Sequence, residues 1–156
     1  MLSSTSTFPP QMRFRLRPAD SSDFDFIWRL RAETMKAVVG EAYGWDEETQ
    51  REYAGESLAG QIVLVDEKPI GVLTLLDWGD QLHLSWVAIL PEMQGQGLGG
   101  ELLEHCRQRA IEGGKPITLQ VLRNNPAIRL YERFGFKTYA YGGQNKVLMR
   151  WNHNAE

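Results

Sequence analysis

The stretch Leu90–Arg107, LPEMQGQGLGGELLEHCR, joins an apolar run ending at Leu90 to a segment with helical periodicity that starts near Leu98. Gly95, Gly97, Gly99 and Gly100 fall within six residues of it. Glycine has no Cβ, so such a turn takes positive φ and brings bare N–H groups close to a ligand. A helix start adds unpaired N–H groups and the positive end of a dipole, and together these make a phosphate cradle. The plain alternative is a tight strand-to-helix connection that binds nothing. Two other phosphate loops fit less well. A P-loop requires Lys followed by Ser or Thr, where Glu101-Leu102 stands here. Gly95-x-Gly97-x-x-Gly100 has the dinucleotide spacing, but Pro91-Glu92-Met93-Gln94 separates it from the strand. No Asp or Glu lies between Gly113 and Tyr131 to hold a ribose.

Outward from this loop the chain reads as one domain over residues 11–156, preceded by a loose Ser-, Thr- and Pro-rich tail at residues 1–10. Its 156 residues are 42% hydrophobic and 24% charged, an ordinary globular composition. A net charge of −3 argues against a nucleic-acid binder with a broad basic face. No signal peptide or spanning segment is evident, which predicts a cytoplasmic protein that does not engage a membrane. Cys106 is the one cysteine and falls on the apolar stripe of its helix, so a packed thiol is expected rather than a nucleophile.

Alternation predicts a first strand over Met12–Arg17, and a helix capped around Asp20–Ser22 that stops at Gly40. A polar second helix follows over Asp46–Leu58. Strands are expected at Gln61–Val65, Ile70–Leu76 and Gln81–Leu90, with Pro69 closing the turn between the first two. The glycine loop then opens a helix to about Glu112. A strand at Ile117–Leu122, a short helix at Asn125–Phe134 and strands near Phe136–Tyr141 and Lys146–Trp151 complete an α+β chain with a mostly antiparallel sheet.

Thr118–Phe136, TLQVLRNNPAIRLYERFGF, is the second informative stretch. Asn125 caps, Pro126 opens and Gly135 closes its helix, with Ala127 and Tyr131 on one face. A half-buried tyrosine at a helix surface is common, so Tyr131 alone decides nothing. Gln94-x-x-Gly97-x-Gly99, however, is similar to the acyl-CoA pyrophosphate motif of the GNAT superfamily of N-acetyltransferases. Asn124-x-x-Ala127-x-x-Leu130-Tyr131-x-x-Phe134-Gly135-Phe136 resembles the second signature of that superfamily. The two occur in the superfamily's order, and the sequence of elements agrees from about Met12 to Trp151.

The resemblance implies a three-layer α/β/α GNAT-like fold, with a mixed, mostly antiparallel sheet of about seven strands and about four helices. It implies an acyl-CoA N-acetyltransferase that uses acetyl-CoA and no metal, with direct attack by a primary amine, small-molecule or peptide, in a ternary complex. The backbone of Gln94, Gly95, Gln96, Gly97, Leu98, Gly99 and Gly100 would hold the pyrophosphate. Val87, Ala88 and Ile89, on a strand that superfamily members bulge and splay from its neighbour, would pair with the pantetheine arm. Asn124 would bond that arm, Tyr131 would protonate the leaving thiolate, and a backbone N–H near Ile89 would hold the oxyanion.

His83 is the candidate base, near neutral in pKa and, by period two, on the face of Ser85, Val87 and Ile89; a merely solvated strand histidine is the alternative. Glu33, Tyr43 and Trp45 are the acceptor-binding candidates, as carboxylate and aromatic groups suited to an ammonium. A non-catalytic acyl-CoA sensor of the same fold and a nicotinamide enzyme are the competing functions. The oligomeric state stays open, with a homodimer as one alternative.

Overall fold

The computed structural model describes residues 13–153; the tail expected over residues 1–10 lies outside them. Seven strands form one sheet: β1 (Arg15–Pro18), β2 (Gln61–Val65), β3 (Lys68–Asp77), β4 (Leu82–Ile89), β5 (Ile117–Leu122), β6 (Lys137–Gly142) and β7 (Lys146–Trp151). The strand order is β1-β2-β3-β4-β5-β7-β6, antiparallel throughout except where β4 and β5 run parallel. Four helices, α1 (Phe24–Tyr43), α2 (Glu47–Glu56), α3 (Leu98–Gly113) and α4 (Ala127–Arg133), cover it in a three-layer α/β/α arrangement.

The period of two in β2 divides the core. Ile62 and Leu64 pack with Ile27 and Leu30 of α1 and Ala54 of α2 on one face. Val63 points the other way, toward Leu102, Leu103 and Cys106 of α3 and Tyr131 of α4. Each fully buried Leu or Ile contributes roughly 1.5–3 kcal/mol, so both layers are held chiefly by these stripes. None of the described helices is long and apolar enough to cross a membrane.

Most element bounds agree with expectation; the first strand, expected over Met12–Arg17, spans Arg15–Pro18, with Met12 outside the described residues, and two further differences have physical reasons. α1 runs through Gly40 to Tyr43 and ends where Gly44 takes φ +84°. A mid-helix glycine costs about 1 kcal/mol. Burial of Val39 (5% exposed) and hydrogen bonds from the Asn124 amide to the Val38 carbonyl (3.2 Å) and from the Asn145 amide to the Ala42 carbonyl (3.3 Å) outweigh it. The turn before β3 is only Asp66-Glu67, with φ of +53° and +64°, so Pro69 lies inside the strand instead of closing the turn. It sits where the β2 register shifts between Val63 and Leu64, at a bulge that tolerates a missing donor.

Candidate active site

β4 carries the geometry that opens the site. Thr74 of β3 faces Trp86, but the next residue, Leu75, faces Leu84, which leaves Ser85 as an extra residue. The bulge reverses the alternation. Leu82, Leu84, Val87 and Ile89 all belong with the α3/α4 core, while Trp86 and Ala88 pack on the α1/α2 side. His83 therefore shares its face with Trp86 and Ala88, not with Val87 and Ile89 as an unbroken period of two predicts. Beyond Leu84↔Leu119 the parallel pairing with β5 stops. From there β5 pairs only with β7, up to Leu122↔Lys146. Residues 85–89 of β4 thus present an open backbone edge to a cleft of about 1190 Å³.

The glycine loop closes one end of that cleft. After a 3₁₀ turn at Pro91–Met93, the Gln94 amide donates to the Ile89 carbonyl at 2.9 Å and ties the loop to the end of β4. Gly95 and Gly97 take φ of +82° and +87°, conformations that side chains rarely adopt. Gly97 is the N-cap of α3 and supplies no side-chain cap, so the first N–H groups of α3 have no side-chain acceptor. Gly99 and Gly100 serve packing instead. A Cβ on Gly99 would lie 3.2 Å from Leu130 Cδ2, and one on Gly100 would lie 2.9 Å from Phe134 Cζ. Arg13 braces the outside, with its Nε donating to Glu101 Oε2 at 2.8 Å and its Nη2 donating to the Gln96 carbonyl.

Val87, Ala88, Ile89, Gln94, Gly95, Gly97, Leu98, Gly99, Gly100, Tyr43, His83 and Tyr131 all line this cleft. Tyr131 is buried in its wall, 5.9 Å from the Phe136 ring, and burial pushes its hydroxyl up to about 12. Cys106 is fully buried behind it and its thiol is likewise pushed up to about 12, the inert packing expected of it. His83 stacks on Trp78 with centroids 4.0 Å apart, and its Nδ1 lies 3.0 Å from Thr118 Oγ1. Burial lowers its pKa.

Four candidates stand apart from the cleft lining. Glu33 is on the solvent side of α1, 3.5 Å from Arg29. Trp45 packs on Trp28 with centroids 5.9 Å apart. Gln96 turns outward, and the Asn124 amide donates to Glu41 Oε1 at 2.6 Å. The cleft contains groups that no motif announced: Arg31 of α1, Gln50 and Tyr53 of α2, and Trp86. Arg31 left a trace, a cation at i+4 from Ile27 and i−3 from Thr34 on the inner stripe of α1.

Residues 24–136 match the model of the acetyltransferase (GNAT) family. The chain is 27% identical over 125 residues to the peptidyl-lysine N-acetyltransferase YjaB of Salmonella typhimurium, covering 79% of this chain and 81% of that one. It is 36% identical over 62 residues, 40% of its length, to the mouse Cysteine-rich protein 2-binding protein, but spans only 8% of that protein. The crystal structure of the PaiA N-acetyltransferase from Thermoplasma acidophilum in complex with coenzyme A has the same fold. Its TM-score is 0.73 at 18% identity, over 91% of this chain and 100% of that one.

Proposed function

Because the chain belongs to the acetyltransferase (GNAT) family, we propose that it moves the acetyl group of acetyl-CoA to a primary amine by direct attack in a ternary complex. The observation that carries this is the splay of β4 from β5 beyond Leu84, with the glycine loop at its mouth. The open edge at Val87, Ala88 and Ile89 takes the pantetheine amides as an added strand. The backbone of Gln94–Gly100 and the start of α3 receive the pyrophosphate, whose charge suits unpaired N–H groups. Asn124, at the end of β5, bonds the arm by turning from Glu41.

Acetyl-CoA supplies a thioester: a C–N bond forms as the C–S bond breaks, the amine loses a proton and the sulfur gains one. A backbone N–H near Ile89 meets the charge that develops on the carbonyl oxygen. Tyr131 keeps its proton to high pH and gives it toward the sulfur. His83 is neutral at working pH, because burial lowers its pKa, and draws the amine proton. At about 3.3 Å per residue, Val87 is roughly 13 Å from His83 along β4, so that proton travels through water.

Acyl-CoA sensing without transfer is the second reading, favoured by the clamping of His83 between Trp78 and Thr118. Thiol release from acetyl-CoA across polyamines, amino acids, aminoglycosides and short peptides separates the two. Acetyl-CoA binding with no thiol release from any member would leave the sensor.

A further inference from the structure

Arg31 projects from α1 into the cleft and is largely withdrawn from solvent. Its guanidinium carbon lies 5.3 Å from the Trp86 ring centroid and 5.4 Å from that of Tyr53, so aromatic surfaces flank it. Its Nε donates to Gln50 Oε1 at 2.8 Å, and Gln50 is itself buried at 5% exposure. The two Nη groups have no hydrogen-bond partner among the described residues. Arg17 has Asp23 at 2.8 Å, Arg13 has Glu101 and Arg15 has Glu67. No described carboxylate reaches Arg31 within ion-pair distance; Glu56 acts on it only through its field. Burial lowers the pKa of Arg31, the mark of a desolvated cation.

A desolvated cation without an anion is costly, whereas a guanidinium edge left open in a cleft matches a carboxylate in two parallel hydrogen bonds. Arg31 and Trp86 line the same cleft as Val87 and the glycine loop, and Trp86 lies on the open stretch of β4 next to Val87. We propose that Arg31 binds a carboxylate of the acceptor, so that the amine acetylated here belongs to an amino acid or short peptide with a free carboxylate. This rests on the acetyltransferase reading above and narrows its acceptor class.

The test offers glycine, lysine and short peptides as free acids and as C-terminal amides, with kcat/KM expressed per unprotonated amine. The free acids are expected to be favoured about tenfold or more, the size of a charge-assisted pair. Arg31→Gln should bring that ratio to near one while acetyl-CoA affinity stays unchanged, and Arg31→Lys should restore part of it. Equal use of acids and amides by the unaltered protein overturns the inference whether or not the variants fold. Should no amine release thiol, calorimetry of N-acetylated acids and amides on the CoA-loaded protein decides instead. A preference for acids that Arg31→Gln abolishes upholds the carboxylate site while the transfer reading fails, and equal binding sinks the site as well.

Discussion

The hydroxyl of Tyr131 and the imidazole of His83 are moved by the same cause in opposite senses. Burial disfavours the charged form, so it raises the tyrosine to about 12 and lowers the histidine. Tyr131→Phe keeps the ring against Phe136 and removes only the donor. Loss of a positioned acid should lower kcat about 10²–10⁴-fold, with the acetyl-CoA KM and melting temperature little changed; an unaltered kcat would remove Tyr131 from proton transfer. For His83 the sign is fixed by its role, since only the neutral ring accepts a proton. With the acceptor saturating, kcat should therefore fall as pH drops through a value below 6.5, the ordinary histidine pKa. His83→Gln should abolish that acid limb and leave a residual pH-independent rate there. Persistence of the limb in the variant would assign it to another group.

At the scale of elements, the four glycines of the loop separate into two jobs. Gly95 and Gly97 shape the backbone, whereas Gly99 and Gly100 let α3 lie against Leu130 and Phe134 of the α4 turn. Gly100→Ala would set a methyl group 2.9 Å from the Phe134 ring, and overpacking of that kind costs roughly 1–3 kcal/mol. The expected result is a melting temperature lower by about 2–10 °C, with kcat reduced because Tyr131 rides on the displaced α4. An undisturbed melting temperature would show that the two helices tolerate separation.

The same division marks what local pattern conveys. Turn chemistry and alternation placed β2, β5 and β7 at their observed bounds, and the glycine loop together with Asn124–Phe136 identified the fold. The resemblance implied a bulge in this strand, but its position at Ser85 was hidden from alternation because Trp86 and Ala88 are as apolar as Val87 and Ile89, so both phases of β4 are filled. The end of α1 depends on Asn124 and Asn145, distant in sequence. Arg31 becomes a desolvated cation only when α2 and β4 close over it, whereas Glu33 lies on the solvent side of α1 and Trp45 packs on Trp28, so neither lines the cleft.

Over the whole molecule, the cleft is also the seam of the sheet. β1–β4 form one continuous antiparallel ladder and β5–β7 another, and the two meet through only three parallel pairs, Leu82↔Ile117 to Leu84↔Leu119. A ligand that pairs with the free edge of β4 and rests on the start of α3 therefore completes the sheet as well as filling a pocket. Binding confined to the folded state stabilises by about 2.7 kcal/mol at a hundred times Kd, which corresponds to a rise of roughly 5–10 °C in melting temperature for a chain of this size. Acetyl-CoA and CoA should both produce it, because the contacts lie in the shared arm and pyrophosphate, and NAD should not. Hydrogen exchange locates the effect. Amides of Leu82–Leu84, already flanked by β3 and β5, should change little, while those of residues 85–89 and 94–99 should slow on addition of CoA. Equal stabilisation by NAD, or protection confined to the outer surface of α3, would mean that the splayed edge is not where the cofactor arm lies.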